Sequence, residues 1–137
     1  MKGPVFLLLA ILLLVSCQSK PVTGETVIAE NGSYQNVTPD ELNTMLKNKD
    51  FVFINVHIPF AGNIAETDLS IPYDQITEPV YLAKLPIDKS ARIILYCRSG
   101  RMSEIAAAEL LSVGYTNIWN LAGGMVEWDQ AGYEIEK

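Results

Sequence analysis

Apolar positions along this chain fall into short dense runs and helical stripes, and the two alternate over most of its length. Phe51-Val52-Phe53-Ile54-Asn55-Val56, Arg92-Ile93-Ile94-Leu95-Tyr96 and Asn117-Ile118-Trp119-Asn120-Leu121 are brief runs dense in aromatic and β-branched residues, which predict buried strands. The near-continuous apolarity of the first suits a parallel sheet covered on both faces. Thr38-Pro39-Asp40-Glu41 sets a capping hydroxyl, a proline at the first helical position and a reciprocal Glu ahead of Leu42, Met45 and Leu46. This predicts a helix over 39–47. Thr77-Glu78-Pro79 opens a second helix to about Leu85, and the stripe Ile105, Ala106, Leu110, Val113 predicts a third from Met102 to Gly114. A last helix runs from Met125 to Ala131, while 57–76 is mostly loop with a short strand near Ser70-Ile71. The alternation predicts an α/β domain with a central parallel sheet flanked by helices.

The start of the chain is patterned differently. Lys2 precedes an uncharged run, Val5 to Val15, too short for a bilayer that needs about 20 residues; it reads as an export signal. The run ends in Leu14-Val15-Ser16-Cys17, which resembles a bacterial lipobox. That resemblance implies removal of residues 1–16, a lipid on Cys17, and a domain held on the extracytoplasmic face of a bacterial membrane. An uncleaved anchor or plain secretion would also put the domain outside the cytoplasm. Residues 17–33, polar and without sustained periodicity, are expected to be a tether, leaving 34–137 as the folded domain.

Composition and charge narrow the function. At 137 residues, 49% hydrophobic and 19% charged, the chain fits one folded domain and excludes a disordered one. Its net charge of −6, or −7 once Lys2 is lost, leaves no basic footprint, so no nucleic-acid partner is expected. Glu66, Asp68, Asp74 and Glu78 have no His or Cys at ligand spacing and are expected to be solvated loop charges, with no metal or cofactor. A monomer is expected. With Cys17 taken by lipid, Cys97 is the sole free thiol and no internal disulfide can form.

Cys97 ends the second predicted strand, and Arg98-Ser99-Gly100-Arg101-Met102 leads from it into a helix. In open α/β sheets ligands bind at such strand ends. The unpaired N–H groups and positive end of the helix, together with Arg98 and Arg101, favour the thiolate of Cys97, the form that acts as nucleophile. Gly100 lets successive amides curl toward the sulfur or a bound oxyanion. A buried, inert strand-end cysteine beside two solvated arginines is the alternative.

The loop Cys97-Arg98-Ser99-Gly100-Arg101-Met102 resembles the active-site loop of single-domain rhodaneses. Leu121-Ala122-Gly123-Gly124-Met125-Val126-Glu127-Trp128 and Ala131-Gly132-Tyr133 are similar to that family's C-terminal signature, and Thr38 to Val56 to its opening helix and first core strand. The resemblance implies a rhodanese-like three-layer fold and a sulfurtransferase in which Cys97 takes sulfane sulfur from thiosulfate or a polysulfide-type donor. The persulfide then passes to a thiol or cyanide acceptor, with Arg98, Ser99, Gly100, Arg101 and Met102 binding the anionic sulfur species. Related phosphatases carry an arginine six positions after the cysteine, where this chain has Ser103; an arsenate reductase would need resolving thiols that are lacking.

Two features depart from the family. Asn55-Val56-His57 stands where rhodaneses carry Asp-Val-Arg, and Ala65-Glu66-Thr67-Asp68 replaces the usual Gly-His-Ile stretch. These changes alter the charged frame of the site and leave open a non-catalytic module that binds sulfur compounds or proteins at the membrane. His57 is expected to brace its loop, and Trp119, Trp128 and Tyr133 to complete the core.

Overall fold

The computed structural model describes residues 1–3, 16, 18 and 20–137; the apolar run of the predicted leader and Cys17 lie outside them. Among the described residues no helix is long and apolar enough to cross a membrane. The elements are β1 (Glu25–Ala29), β2 (Gly32–Val37), α1 (Pro39–Leu46), β3 (Val52–Asn55), β4 (Leu69–Ser70), α2 (Pro79–Leu82), β5 (Ile93–Tyr96), α3 (Arg101–Ser112), β6 (Ile118–Leu121) and α4 (Gly124–Gln130).

The six strands form one sheet in the order β1-β2-β6-β5-β3-β4. All neighbours pair in parallel except β1 and β2, so the sheet is mixed and not wholly parallel as expected. The reason is a hairpin in the segment read as tether: Ala29 pairs with Gly32 across Glu30-Asn31, and β1 then runs along β2. In β1, Glu25, Thr26 and Ile28 are exposed, and only Val27 and Ala29 pack on the core. A strand held mainly by main-chain hydrogen bonds at a sheet edge needs no long apolar run, and the three residues Val27-Ile28-Ala29 between polar stretches therefore read as part of a linker.

Helices cover both faces. On one, Leu42 of α1 and Met125 and Trp128 of α4 pack on Phe53, Ile94, Tyr96, Trp119 and Leu121. On the other, Ala106, Ala107, Leu110 and Leu111 of α3, with Tyr81 and Leu82 of α2, cover Ile54, Ile93, Leu95 and Ile118. Alternate residues of each central strand thus serve opposite cores, which is why those strands read as unbroken apolar runs.

The start of α1 is built as its sequence dictates: Thr38 Oγ1 accepts from the Glu41 amide at 3.3 Å, and Glu41 Oε2 accepts from the Thr38 amide at 2.9 Å. α2 is a single turn, shorter than the expected helix to Leu85, because Glu78 makes no capping bond and Pro86 disfavours helical backbone at Leu85. Trp119 and Trp128 are buried, and Trp128 stacks on Tyr133 with ring centroids 4.5 Å apart, the packing role expected of them.

Candidate active site

Cys97 follows β5 at the carboxyl end of the sheet and is 1% exposed. Its Sγ accepts from the Gly100 amide at 3.0 Å and from Ser103 Oγ at 3.4 Å, and the same hydroxyl lies 2.9 Å from the Gly100 carbonyl. Gly100 takes φ of 107°, a conformation L side chains avoid, and this bends the loop back over the sulfur. The amides of Arg98, Ser99, Arg101, Met102 and Ser103 have no acceptor among the described residues. They are orphan donors of a loop and of the first turn of α3, suited to an anion.

The expected site residues thus divide. Cys97 and Gly100 are joined directly; Arg98, Ser99 and Arg101 are exposed around the rim, and Met102 packs partly on the α3-side core. Neither arginine has a carboxylate within salt-bridge distance, the ion pairs among the described residues being Lys49–Asp68 and Arg92–Asp50. Both guanidinium groups are therefore free to meet an anion. Ser103, fully buried, is a contact that sequence reasoning missed as a partner of the sulfur. A polar residue on the inward face of an otherwise apolar helix was the available signal.

A second element holds the loop. The amides of Met125 and Val126 donate to the carbonyls of Cys97 and Arg98, each at 2.9 Å. Gly124 makes this approach feasible, since a Cβ there would lie 2.3 Å from the Cys97 carbonyl oxygen.

The unusual Asn55 is buried and fully used: its Nδ2 donates to the Gly62 carbonyl and to Asn63 Oδ1, both at 2.9 Å, and its Oδ1 accepts from the His57 amide at 3.0 Å. It ties together the loop that follows β3. His57 leaves β3 as Arg98 leaves β5, the two strands being paired in parallel with Asn55 opposite Tyr96. Partial burial, and secondarily the Arg98 charge, hold its imidazole below the ordinary range. Asp68 departs from the solvated loop charge expected of it: its Oδ2 accepts from the Phe53 amide at 2.8 Å and pairs with Lys49 at 2.7 Å, bracing β3. Among the described residues no group of three or more His, Cys, Asp and Glu side chains gathers as a metal site.

A buried thiol at a strand end, cradled by a glycine-bent loop of free amides and flanked by two unpaired arginines, agrees with the family comparison. Residues 38–131 match the rhodanese-like domain. The chain belongs to the rhodanese-like domain family. The tRNA uridine(34) hydroxylase of Hamiltonella defensa is 30% identical over 104 residues, which cover 73% of this chain and 29% of that protein. The chain thus spans less than a third of the length of such curated relatives. A rhodanese-related protein of Thermoplasma volcanium superposes with a TM-score of 0.61 at 27% identity, over 74% of this chain and 97% of that one. A rhodanese-like domain protein of Staphylococcus aureus gives 0.58 at 28%, over 74% and 98%. These two are single domains of matching extent, and they agree with this rhodanese-like domain in its α/β layers.

Proposed function

We propose that this rhodanese-like domain is a sulfurtransferase whose Cys97 carries sulfane sulfur as a persulfide. The observation that carries the reading is the setting of Cys97: hydrogen bonds to its sulfur from Gly100 and Ser103, followed in the chain by a loop with five unclaimed amides and two unpaired guanidinium groups. These donors stabilise an anionic sulfur in a low-dielectric setting. With thiosulfate as donor, the Cys97 thiolate attacks the outer sulfur, the sulfur–sulfur bond breaks, and its electron pair leaves on sulfite. Arg98 and Arg101 compensate the donor's charge, and the loop amides of residues 98–102 hold the terminal persulfide sulfur. Cyanide or a thiolate then takes that sulfur, and the electron pair returns to Sγ. No general base is required.

The test is intact mass of the purified domain after incubation with thiosulfate or a polysulfide, beside a Cys97→Ser control. Addition of one sulfur atom, removable by cyanide and missing from the control, is the expected result; no adduct with any donor would sink the proposal. A second reading, a non-catalytic module that binds sulfur compounds or proteins, draws on the 1% exposure of Cys97, which keeps bulky reactants from the sulfur. It predicts no adduct.

The export pattern ending in Cys17 supports a lipid anchor that holds the domain on the extracytoplasmic face of a bacterial membrane. The tRNA named for the relatives is not carried over to this chain: they match it over less than a third of their length, and its net charge of −6 offers phosphates no basic footprint.

A further inference from the structure

The loop around Cys97 is bordered by acids as well as by its two arginines. Glu104, exposed in the first turn of α3, donates its amide to the Gly100 carbonyl at 3.0 Å, and its Oε1 lies 3.9 Å from the point where a Cβ on Gly100 would stand. The amide of the same Gly100 donates to Cys97 Sγ at 3.0 Å, so standard bond lengths put this carboxylate within about 10 Å of the sulfur. Glu127, exposed in the first turn of α4, has its stem folded over Gly123, with Cδ 3.2 Å from where a Cβ there would stand. The Gly123 nitrogen is in turn 3.5 Å from the Cβ position of Gly100. Both acids thus stand beside the glycine that reaches the sulfur, and neither takes part in an ion pair among the described residues.

A carboxylate in the first turn of a helix favours the helix dipole, and that accounts for either residue taken alone. Here two first turns meet at one loop, and both charges fall within about a Debye length of a donor approaching the thiol at 0.1 M salt. Arg98 and Arg101 bring two positive charges to the rim and Glu104 and Glu127 bring two negative ones, which leaves the attraction of an anion mainly to the unclaimed amides. The repulsion from each carboxylate is proportional to the charge of the donor, so a dianion meets twice what a monoanion meets.

We propose that Glu104 and Glu127 set the donor specificity of this thiol, favouring a singly charged sulfane donor, of which a thiosulfonate is the simplest, over the thiosulfate dianion; this rests on the persulfide reading. The chemistry is the same for both donors. The Cys97 thiolate attacks the outer sulfur, the sulfur–sulfur bond of the donor breaks, and its electron pair leaves on sulfite or on the sulfinate. Cys97 is left as the persulfide anion, and charge and atoms balance with no further oxidant or reductant. The two acids touch neither sulfur; they act through the field that the donor crosses.

Thiosulfate and methanethiosulfonate test it, because they share the outer sulfur and differ by an oxygen against a methyl group, and hence by one negative charge. The full-length chain is loaded with each, the persulfide is followed by intact mass, and the ratio of the two second-order loading rates is compared between variants at low ionic strength. Glu104→Gln and Glu127→Gln are each expected to speed thiosulfate relative to methanethiosulfonate about threefold, and the double variant about tenfold, with the gain fading toward about 1 M salt. The ratio cancels the intrinsic reactivity of the donors and any loss of folded protein, so a role confined to the helix dipole would lower stability and leave it unmoved. Glu109→Gln, which removes the same charge five residues further along α3, should leave it near that of the unaltered chain. A ratio unmoved by the double variant, one moved equally by Glu109→Gln, or a gain that persists in high salt overturns the specificity role while the persulfide reading stands. A chain that takes up sulfur from neither donor overturns both, and the mass spectrum tells the two failures apart.

Discussion

Gly124 stands where a methyl group would press to 2.3 Å from the carbonyl oxygen of Cys97 and to 2.8 Å from the backbone of Arg98. The last helix and the thiol loop are packed backbone against backbone at that point, with Gly124 in a left-handed conformation at φ 58°.

Gly124→Ala therefore has to push α4 away from the loop. We expect a loss of about 2–4 kcal/mol from steric overlap and backbone strain together. Thermal or urea unfolding measures it. Sulfur transfer should fall more than stability explains, because the carbonyls of Cys97 and Arg98 lose their donors.

Ser103→Ala removes the hydroxyl that reaches Sγ at 3.4 Å and the Gly100 carbonyl at 2.9 Å. Stability should drop by about 1 kcal/mol, the net worth of one buried hydrogen bond. Iodoacetamide labelling of Cys97 and discharge of its persulfide should both change several-fold, whereas a purely structural serine would leave the labelling rate where it was.

Asn55→Asp restores the acidic residue usual in the family yet should destabilise this chain. The new carboxylate would face two acceptors, the Gly62 carbonyl and Asn63 Oδ1, where Nδ2 now donates. Its folded pKa is then raised above the ordinary aspartate value, so the penalty is full at neutral pH and shrinks as the pH falls and the group protonates. A cost of about 1–3 kcal/mol at pH 7 is expected, read from urea midpoints across pH and compared with the unaltered domain.

His57 supplies a second pH dependence of known sign. Burial, and then the Arg98 charge, lower its folded pKa from the ordinary 6.5. Its contribution to stability is thus fully present above that value and is lost as the pH drops through the folded value, where the imidazole must charge beside a guanidinium. The imidazole resonances should titrate below the ordinary midpoint, and Arg98→Gln should move them back up. His57→Gln should remove this part of the acid destabilisation.

The proposed lipid on Cys17 predicts that Cys17→Ser, expressed in a bacterial host, shifts the protein from the membrane fraction to the soluble one and abolishes incorporation of a labelled fatty acid. Retention in the membrane with no label in either form would instead favour an uncleaved anchor.

The parts of this domain that were legible in its sequence are those where one local rule decides the outcome. Thr38 and Glu41 specify the start of α1 within four residues, and the three apolar runs became β3, β5 and β6 because residues buried on both faces leave an unbroken signal. Cys97 could be placed at a strand end for the same reason. What remained hidden depends on partners distant in the chain. Glu25 to Ala29 gain their strand through β2 and bury little, and Val27-Ile28-Ala29 is too short an apolar run to mark a strand without that partner. Asp68 is a loop carboxylate until Phe53 and Lys49 are seen beside it. The bonds from Met125 and Val126 to the thiol loop form only when α4 returns across the sheet, although the Gly123-Gly124 pair advertised a close approach.

The path by which the chain joins the sheet sets how the domain stands on whatever holds it. Lys20 and Pro21 line a hollow with Asp50 and Arg92, two residues and one residue ahead of β3 and β5, whereas Cys97 comes just after β5. Five residues of extended strand put roughly 16 Å between Arg92 and the thiol. An attachment upstream of Lys20 therefore grips the floor of the molecule and leaves its mouth pointing outward. With such an attachment reactants would arrive from open solvent without squeezing beneath the protein, and the length of β5 would set the least height of the thiol above its support, however short the leash is made.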